Sequence, residues 1–178
     1  VPIVESVSEE NPATRSRKEV FSFVEQEINA VKELLLSHSD ANSYGRFTRE
    51  AALALLSRLY LNAEVYTGES RLDDCITVSR ELLQCNFSLD NTWDAPFAWE
   101  NENSKENIFV IPNDEVMANE MSALFYRNIH WSQGSQWEWK NPNGGWNAIC
   151  TERSFIEKYD IVNDRRCKYD PRNGYYGP

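Results

Sequence analysis

Four tryptophans, Trp131, Trp137, Trp139 and Trp146, crowd into one short window among Gln136, Asn141, Asn143 and Asn147. An indole is a flat apolar plate, and a carboxamide offers a donor and an acceptor together. That pairing suits a pyranose, whose C–H faces stack while its hydroxyls need polar partners. Each stack covers roughly 60–80 Å² of apolar surface and contributes about 1.5–2 kcal/mol at ~25 cal/mol/Å². Two stacks with a few hydrogen bonds of small net worth reach about −4 to −6 kcal/mol, which is millimolar to high-micromolar binding. The candidate ligand-binding residues are therefore Trp131, Trp137, Trp139, Trp146, Asn147 and Tyr126, with His130 nearby. Gly144 and Gly145 leave room for close approach before Trp146. The competing reading is that these indoles pin a long loop to the body of the protein. Trp93 and Trp99, beside Pro96 and Phe97, read as packing residues.

Other chemistries find less support. Glycoside hydrolysis needs two carboxylates about 5–5.5 or 6.5–9.5 Å apart. Glu138, between two tryptophans, supplies one; no spacing marks a second among Asp94, Glu100 and Glu152. No nucleophile elbow is present either, so the expectation is a protein that is not an enzyme and has no cofactor. Cys75, Cys85, Cys150 and Cys167 form no CxxC pair, and His38 and His130 are the only imidazoles, a poor set for structural zinc. Free buried thiols are a simpler reading than two disulfides. Asn101-Glu102-Asn103 and Asn113-Asp114-Glu115 lack the calcium-loop spacing and read as solvated acidic loops, so no metal site is expected.

The chain of 178 residues carries 18 Lys+Arg against 28 Asp+Glu, a formal charge of −10. That field repels phosphate backbones and excludes nucleic acid as a partner. At 41% apolar and 12% aromatic residues, the chain is too rich for disorder. No apolar run reaches the roughly 18–20 residues of a membrane span. The start, Val1-Pro2-Ile3-Val4-Glu5, has neither an initiating Met nor a signal peptide, which predicts a piece of something longer.

The elements that must hold the window divide the chain in two. All tryptophans lie at or after Trp93, and five of the seven glycines at or after Gly134. Residues 1–88 read as a helical scaffold and 89–178 as a loop-rich, aromatic-rich ligand face. Ser16-Arg17-Lys18-Glu19 is a capping box opening a helix over 16–36. Val20, Val24, Ile28, Val31 and Leu35 form its apolar stripe, with Glu25, Glu27, Lys32 and Glu33 on the solvated side. A second helix is capped by Thr48, runs through the Ala- and Leu-rich stretch after it and ends at Gly68. A third begins at Ser70 as cap and buries Cys75, Ile76, Ser79, Leu82 and Leu83. The last two make a hairpin in which Ala52, Ala54 and Ala63 allow the close approach seen in tetratricopeptide repeats. Beyond Cys85 a packed loop leads to a short strand, Ile108–Ile111, closed by Pro112. A turn of helix is expected near Met117–Tyr126, and a short helix over 152–159 capped by Thr151. A charged, turn-rich tail closes the chain. The fold class is thus mainly α, a helical-hairpin scaffold plus a loop-rich half with one short strand.

Several blocks in fixed order resemble a known family. Gly45-Arg46-Phe47-Thr48-Arg49-Glu50-Ala51-Ala52 and Leu56-Ser57-Arg58-Leu59-Tyr60-Leu61-Asn62-Ala63-Glu64-Val65-Tyr66-Thr67-Gly68 are similar to the central helical hairpin of the SusD/RagB outer-membrane lipoproteins. Ser104 to Ile111, Asn143-Gly144-Gly145-Trp146-Asn147, and Phe155 to Asp160 with Asp164-Arg165-Arg166 resemble later segments, and Val1-Pro2-Ile3-Val4 an earlier one. The resemblance implies a surface-exposed, lipid-anchored protein that binds oligosaccharides or other nutrients and delivers them to a TonB-dependent porin. It implies an outer-membrane location, with membrane contact only through a lipid anchor in a segment this chain lacks. A protein-interaction module of the tetratricopeptide type, without a ligand site of its own, is the alternative; a glycan-cleaving enzyme is the remoter one.

Overall fold

In a computed structural model the described residues are 1–7, 12–98, 101–112, 148, 152–160 and 162–166, with the backbone of two strands at 168–170 and 174–176. They fall into two compact units, Val1–Ile111 and Pro112–Pro178. The described elements are mainly helical.

The first helix, α1 (Arg17–Val31), opens on a complete capping box. The Glu19 N–H donates to Ser16 Oγ at 3.2 Å, and the Ser16 N–H donates to Glu19 Oε2 at 2.8 Å. Two of the orphan amides of a helix start are thereby satisfied. The helix ends sooner than its stripe predicts: at Lys32–Leu34 it tightens into a 3-10 turn, and Leu35 is extended. The buried line is Phe21 and Ile28, with Val24 and Leu35 packed against it, while Val31 is exposed. Phe21, absent from the predicted stripe, belongs to the core because its ring meets Tyr60, centroids 6.5 Å apart.

Thr48 caps α2 (Arg49–Leu61), its Oγ1 accepting the Ala51 N–H at 3.2 Å. Ala51, Ala52, Leu53, Leu56 and Tyr60 are buried, and Leu53 and Leu56 are wholly enclosed. Full burial of one such side chain stabilises by about 1.5–3 kcal/mol. The helix expected to reach Gly68 is interrupted at Asn62, where φ is −100° and ψ 8°. Asn62 Nδ2 donates to the Arg58 carbonyl at 2.9 Å, the local competition with the helix ladder that makes Asn a weak helix former. A short α3 (Ala63–Thr67) follows and stops at Gly68, whose φ of +81° is the left-handed value a C-terminal glycine supplies.

In α4 (Leu72–Leu83) the predicted cap is corrected: Arg71 occupies the N-cap position, and no side chain caps the turn. Arg71 instead pairs with Asp74 in the first turn and with Glu25 of α1 at 2.7 Å, its guanidinium 4.9 Å from the centre of the Tyr60 ring. Glu25, expected in solvent, is drawn in by that cation. The buried face is Val78 with Cys75 and Leu82 beside it, whereas Ile76 and Leu83 are exposed, contrary to the predicted stripe. Helices α2 and α4 run antiparallel: Arg49 ion-pairs with Glu81, and Ser57 meets Ser79, hydroxyl to hydroxyl, at 2.8 Å. Ala52 and Ala63 are fully buried, as close helix approach requires, and Ala54 is half-buried.

From Cys85 the chain of this unit is irregular, with 3-10 turns at Ala95–Phe97 and Asn101–Asn103. Pro96 is buried, but Trp93 is 39% exposed, more open than a packing residue should be. The segment Ile108–Ile111 is irregular chain and not the predicted strand. A strand needs an edge to pair with. Among the described residues of this unit the only β-type pairing is the isolated Pro2–Thr14 bridge.

In the second unit α5 (Arg153–Ile156) is one turn, shorter than predicted, with Glu152 at the N-cap and no side-chain cap; Thr151 lies outside the described residues. Phe155 stands edge-on to Tyr159 at 5.4 Å, and the Arg166 guanidinium lies 5.3 Å from the Tyr159 ring centre. The tail holds an element the sequence did not announce: β1 (Lys168–Asp170) pairs antiparallel with β2 (Gly174–Tyr176), Asp170 opposite Gly174. The helix expected near Met117–Tyr126 lies outside the described residues.

Candidate functional site

The ligand residues expected from sequence, Trp131, Trp137, Trp139, Trp146, Asn147 and Tyr126, lie outside the described residues, as do His130 and Trp99. The described part of the first unit offers a different concavity. A cavity of about 180 Å³ opens between the loop before α2 and the loop of residues 101–110. At ~30 Å³ per water, it has room for about six waters.

One wall is a stack of turns. The Asp40 N–H donates to the Ser37 carbonyl at 3.0 Å, Ser43 N–H to Asp40 at 3.0 Å, and Arg46 N–H to Ser43 at 2.9 Å. Asp40 Oδ1 accepts the Asn42 N–H at 2.8 Å, the local turn bond for which Asp is favoured. Ser43, buried, donates its hydroxyl to the His38 carbonyl at 2.8 Å. Gly45 takes a φ of +72°, which turns the chain toward Thr48. The stack is anchored from below by Glu50, a buried carboxylate of the first turn of α2. Its Oε2 accepts the His38 N–H at 2.7 Å and its Oε1 the Ser37 hydroxyl at 2.9 Å. Burial pushes the Glu50 carboxyl up, but those donors outweigh it and hold the group below the usual carboxylate range.

The facing wall is pinned through Pro96 and Asp90. Asn101 and Asn107 both donate Nδ2 to the Pro96 carbonyl, at 2.8 and 3.3 Å. Ser104 Oγ donates to Asp90 Oδ2 at 2.5 Å, and the Ser88 N–H donates to the Lys105 carbonyl at 3.1 Å. Among the described residues two ring contacts tie the loop before α2 to the later segment: Phe47 meets Phe109 edge-on, centroids 5.8 Å apart, and His38 meets Phe87, centroids 4.7 Å apart. Side chains that are well held elsewhere thus present their remaining polar atoms to a fixed space.

Two other cavities fit a polar ligand less well. One of about 320 Å³ is walled by Val1, Val20, Phe21, Val24, Leu59 and Tyr66, joined by Arg15 and Arg17, and has few hydrogen-bonding groups. One of about 260 Å³ touches Glu50, Ser37, Cys85 and Phe87, but its carboxylate is already occupied by Ser37 and His38. Burial and the neighbouring Glu50 push the Cys85 thiol up, so it holds its proton and is a weak nucleophile. Cys75 and Cys85 are free thiols; Cys150 and Cys167 lie outside the described residues. No group of His, Cys, Asp and Glu suited to a metal ion occurs among the described residues, and no described helix is long and apolar enough to cross a membrane.

The sequence places residues 45–52 in a family-like block and marks no ligand wall before α2. The signal was available in part: Tyr44, Arg46, Asn101 and Asn107 are polar or aromatic residues in turns, the composition of a binding loop. Loops so far apart in sequence meet through the Phe47–Phe109 and His38–Phe87 contacts, which no local pattern reveals.

A helical hairpin carrying a polar, loop-built pocket is the description the geometry supports for the described residues of the first unit. No protein-family model matches the chain. Over 162 residues it is 23% identical to the starch-binding protein SusD of Bacteroides thetaiotaomicron, a distant SusD-like relationship. The match takes in 89% of this chain and 29% of the relative, so the chain spans less than a third of that protein's length.

Proposed function

We propose that this chain is part of a non-catalytic carbohydrate-binding protein of the SusD kind, which holds an oligosaccharide at the outer-membrane surface and passes it to a TonB-dependent porin. The observation that carries the reading is the similarity to a starch-binding protein along 89% of the chain. The composition of the 131–147 window supports it, because indole plates among carboxamides match the two faces of a sugar ring. In this reading Trp131, Trp137, Trp139, Trp146, Asn147 and Tyr126 contact the ligand, and the helices form a tetratricopeptide-like scaffold. Weak capture suits the role, since a carrier must release its cargo.

Affinity electrophoresis in gels cast with soluble glycans tests this. Migration is expected to slow in a starch-type or other neutral glycan gel. The double substitution Trp137→Ala, Trp146→Ala is expected to abolish the retardation with helical circular dichroism unchanged. Undiminished retardation of the double variant would remove these residues from the site. Release of reducing ends from the glycan panel would replace the reading with an enzymatic one.

A further inference from the structure

We propose that the cavity between the loop before α2 and residues 101–110 is a second ligand site, one that takes a single neutral sugar ring. The inference rests on the carbohydrate reading and adds to it a place and a charge class. It stands on which polar atoms in that cavity are left over once the fold has taken its share.

Arg46 lines the cavity, and its backbone N–H donates to the Ser43 carbonyl; among the described residues its guanidinium has no acceptor. An Arg without a carboxylate partner in a chain of net charge −10 offers up to five uncommitted donors. The same wall carries Tyr44, half-exposed, with a ring face and a hydroxyl that both gives and takes. Opposite them, Asn101 and Asn107 each commit an amide N–H to Pro96, which leaves their Oδ1 atoms as acceptors. Glu102 adds a carboxylate on that side. Ile108 and Phe109 supply apolar surface between them.

A sugar hydroxyl is donor and acceptor at once, so a site that matches it must present both kinds of group. This one does: Arg46 donates, Asn101, Asn107 and Glu102 accept, and Tyr44 does either. The volume admits one ring, so a chain end or side-branch fits and an internal run of the polymer does not. The charge class follows from the walls. Among the described lining residues Asp40 and Glu102 are carboxylates and Arg46 is the one guanidinium, so these walls have a negative balance that disfavours a uronate or sialate. Asp40 is oriented by its turn bond to the Asn42 N–H, which favours keeping its charge at the cavity.

The test uses the 178-residue chain labelled with nitrogen-15 and titrated with methyl glucoside, methyl galactoside, N-acetylglucosamine and glucuronate. At least one neutral ring is expected to shift the amides of residues 43–46 and 101–108 together, saturating in the millimolar range, with glucuronate weaker. Arg46→Ala touches no described partner, so it is expected to fold as the parent does and to weaken that binding about tenfold, the loss of one charge-assisted hydrogen bond. Glycan-gel retardation is measured in parallel on the same samples. If the gels retard the protein while no neutral ring shifts these amides, the second site falls and the carbohydrate reading stands. Stronger binding of glucuronate than of every neutral ring, or full affinity in Arg46→Ala, overturns the proposal as stated. If neither assay detects any glycan, both are wrong.

Discussion

The helices of residues 17–83 and the loops of 37–48 and 86–110 are held by different forces. In the helices, Leu53, Leu56, Ala52 and Ala63 exclude water almost completely, and Phe21, Ile28 and Tyr60 close over them. In the loops few apolar side chains are buried. Their shape comes from bonds between side chains and backbone: Glu50 to His38, Ser43 to His38, Asn101 and Asn107 to Pro96. Apolar burial is non-directional and tolerates shifts, whereas a hydrogen bond fixes a distance and an angle. The lesson is that apolar packing and loop shape are lodged largely in separate parts of the first unit, so a loop bond can be lost while the helical core stays packed.

The largest effect is expected at Leu56→Ala, which hollows the enclosed centre of the helical packing. It should lower stability by about 2–5 kcal/mol, read as a fall in the thermal midpoint of helical circular dichroism. Next comes Glu50→Gln. It should cost about 1.5–3 kcal/mol by weakening bonds to a charged acceptor, and speed hydrogen exchange at residues 37–46 more than in α4. Comparable acceleration in both places would erase the contrast between the two regions. The pH behaviour has a definite sign. A carboxyl held below its ordinary pKa stabilises the fold above the unfolded value of about 4.3, and that stability is lost as pH falls through the folded value. The parent should therefore lose more stability than Glu50→Gln as the solution is acidified, in paired denaturation curves. The smallest effect belongs to Thr48→Ala, at the junction of loop and helix. Loss of its bond to the Ala51 N–H should cost about 1 kcal/mol in a urea titration.

The helical half was legible because its signals are local. The Ser16 and Thr48 caps and the left-handed Gly68 each need only a few neighbouring residues, and all three stand as read. Where tertiary partners intervene the reading slipped. Glu25 was assigned to solvent because nothing nearby in sequence announces Arg71, and Ser70 lost the cap when Arg71 took its place to reach Glu25 and Asp74. Ile108–Ile111 has the composition of a strand, but composition does not provide a partner edge. The paired tail strands go unannounced for the opposite reason: Lys168–Asp170 and Gly174–Tyr176 are too short to show an alternating pattern in a turn-rich tail. The cavity proposed as a second site is invisible as a unit in the sequence, since its two walls lie about sixty positions apart in the chain and are tied by ring contacts between distant residues.

The hydroxyl pair between Ser57 and Ser79 acts as a register mark in an otherwise slippery seam. Alanine and leucine surfaces slide past one another at little penalty, because neighbouring turns offer much the same shape. Displacing α4 by one turn would break the 2.8 Å contact between the two part-buried hydroxyls and leave Ser57 the weaker thiol of Cys75 beside it. The alcohol-to-alcohol bond thus favours the observed alignment together with the Arg49–Glu81 ion pair at the other end of the seam.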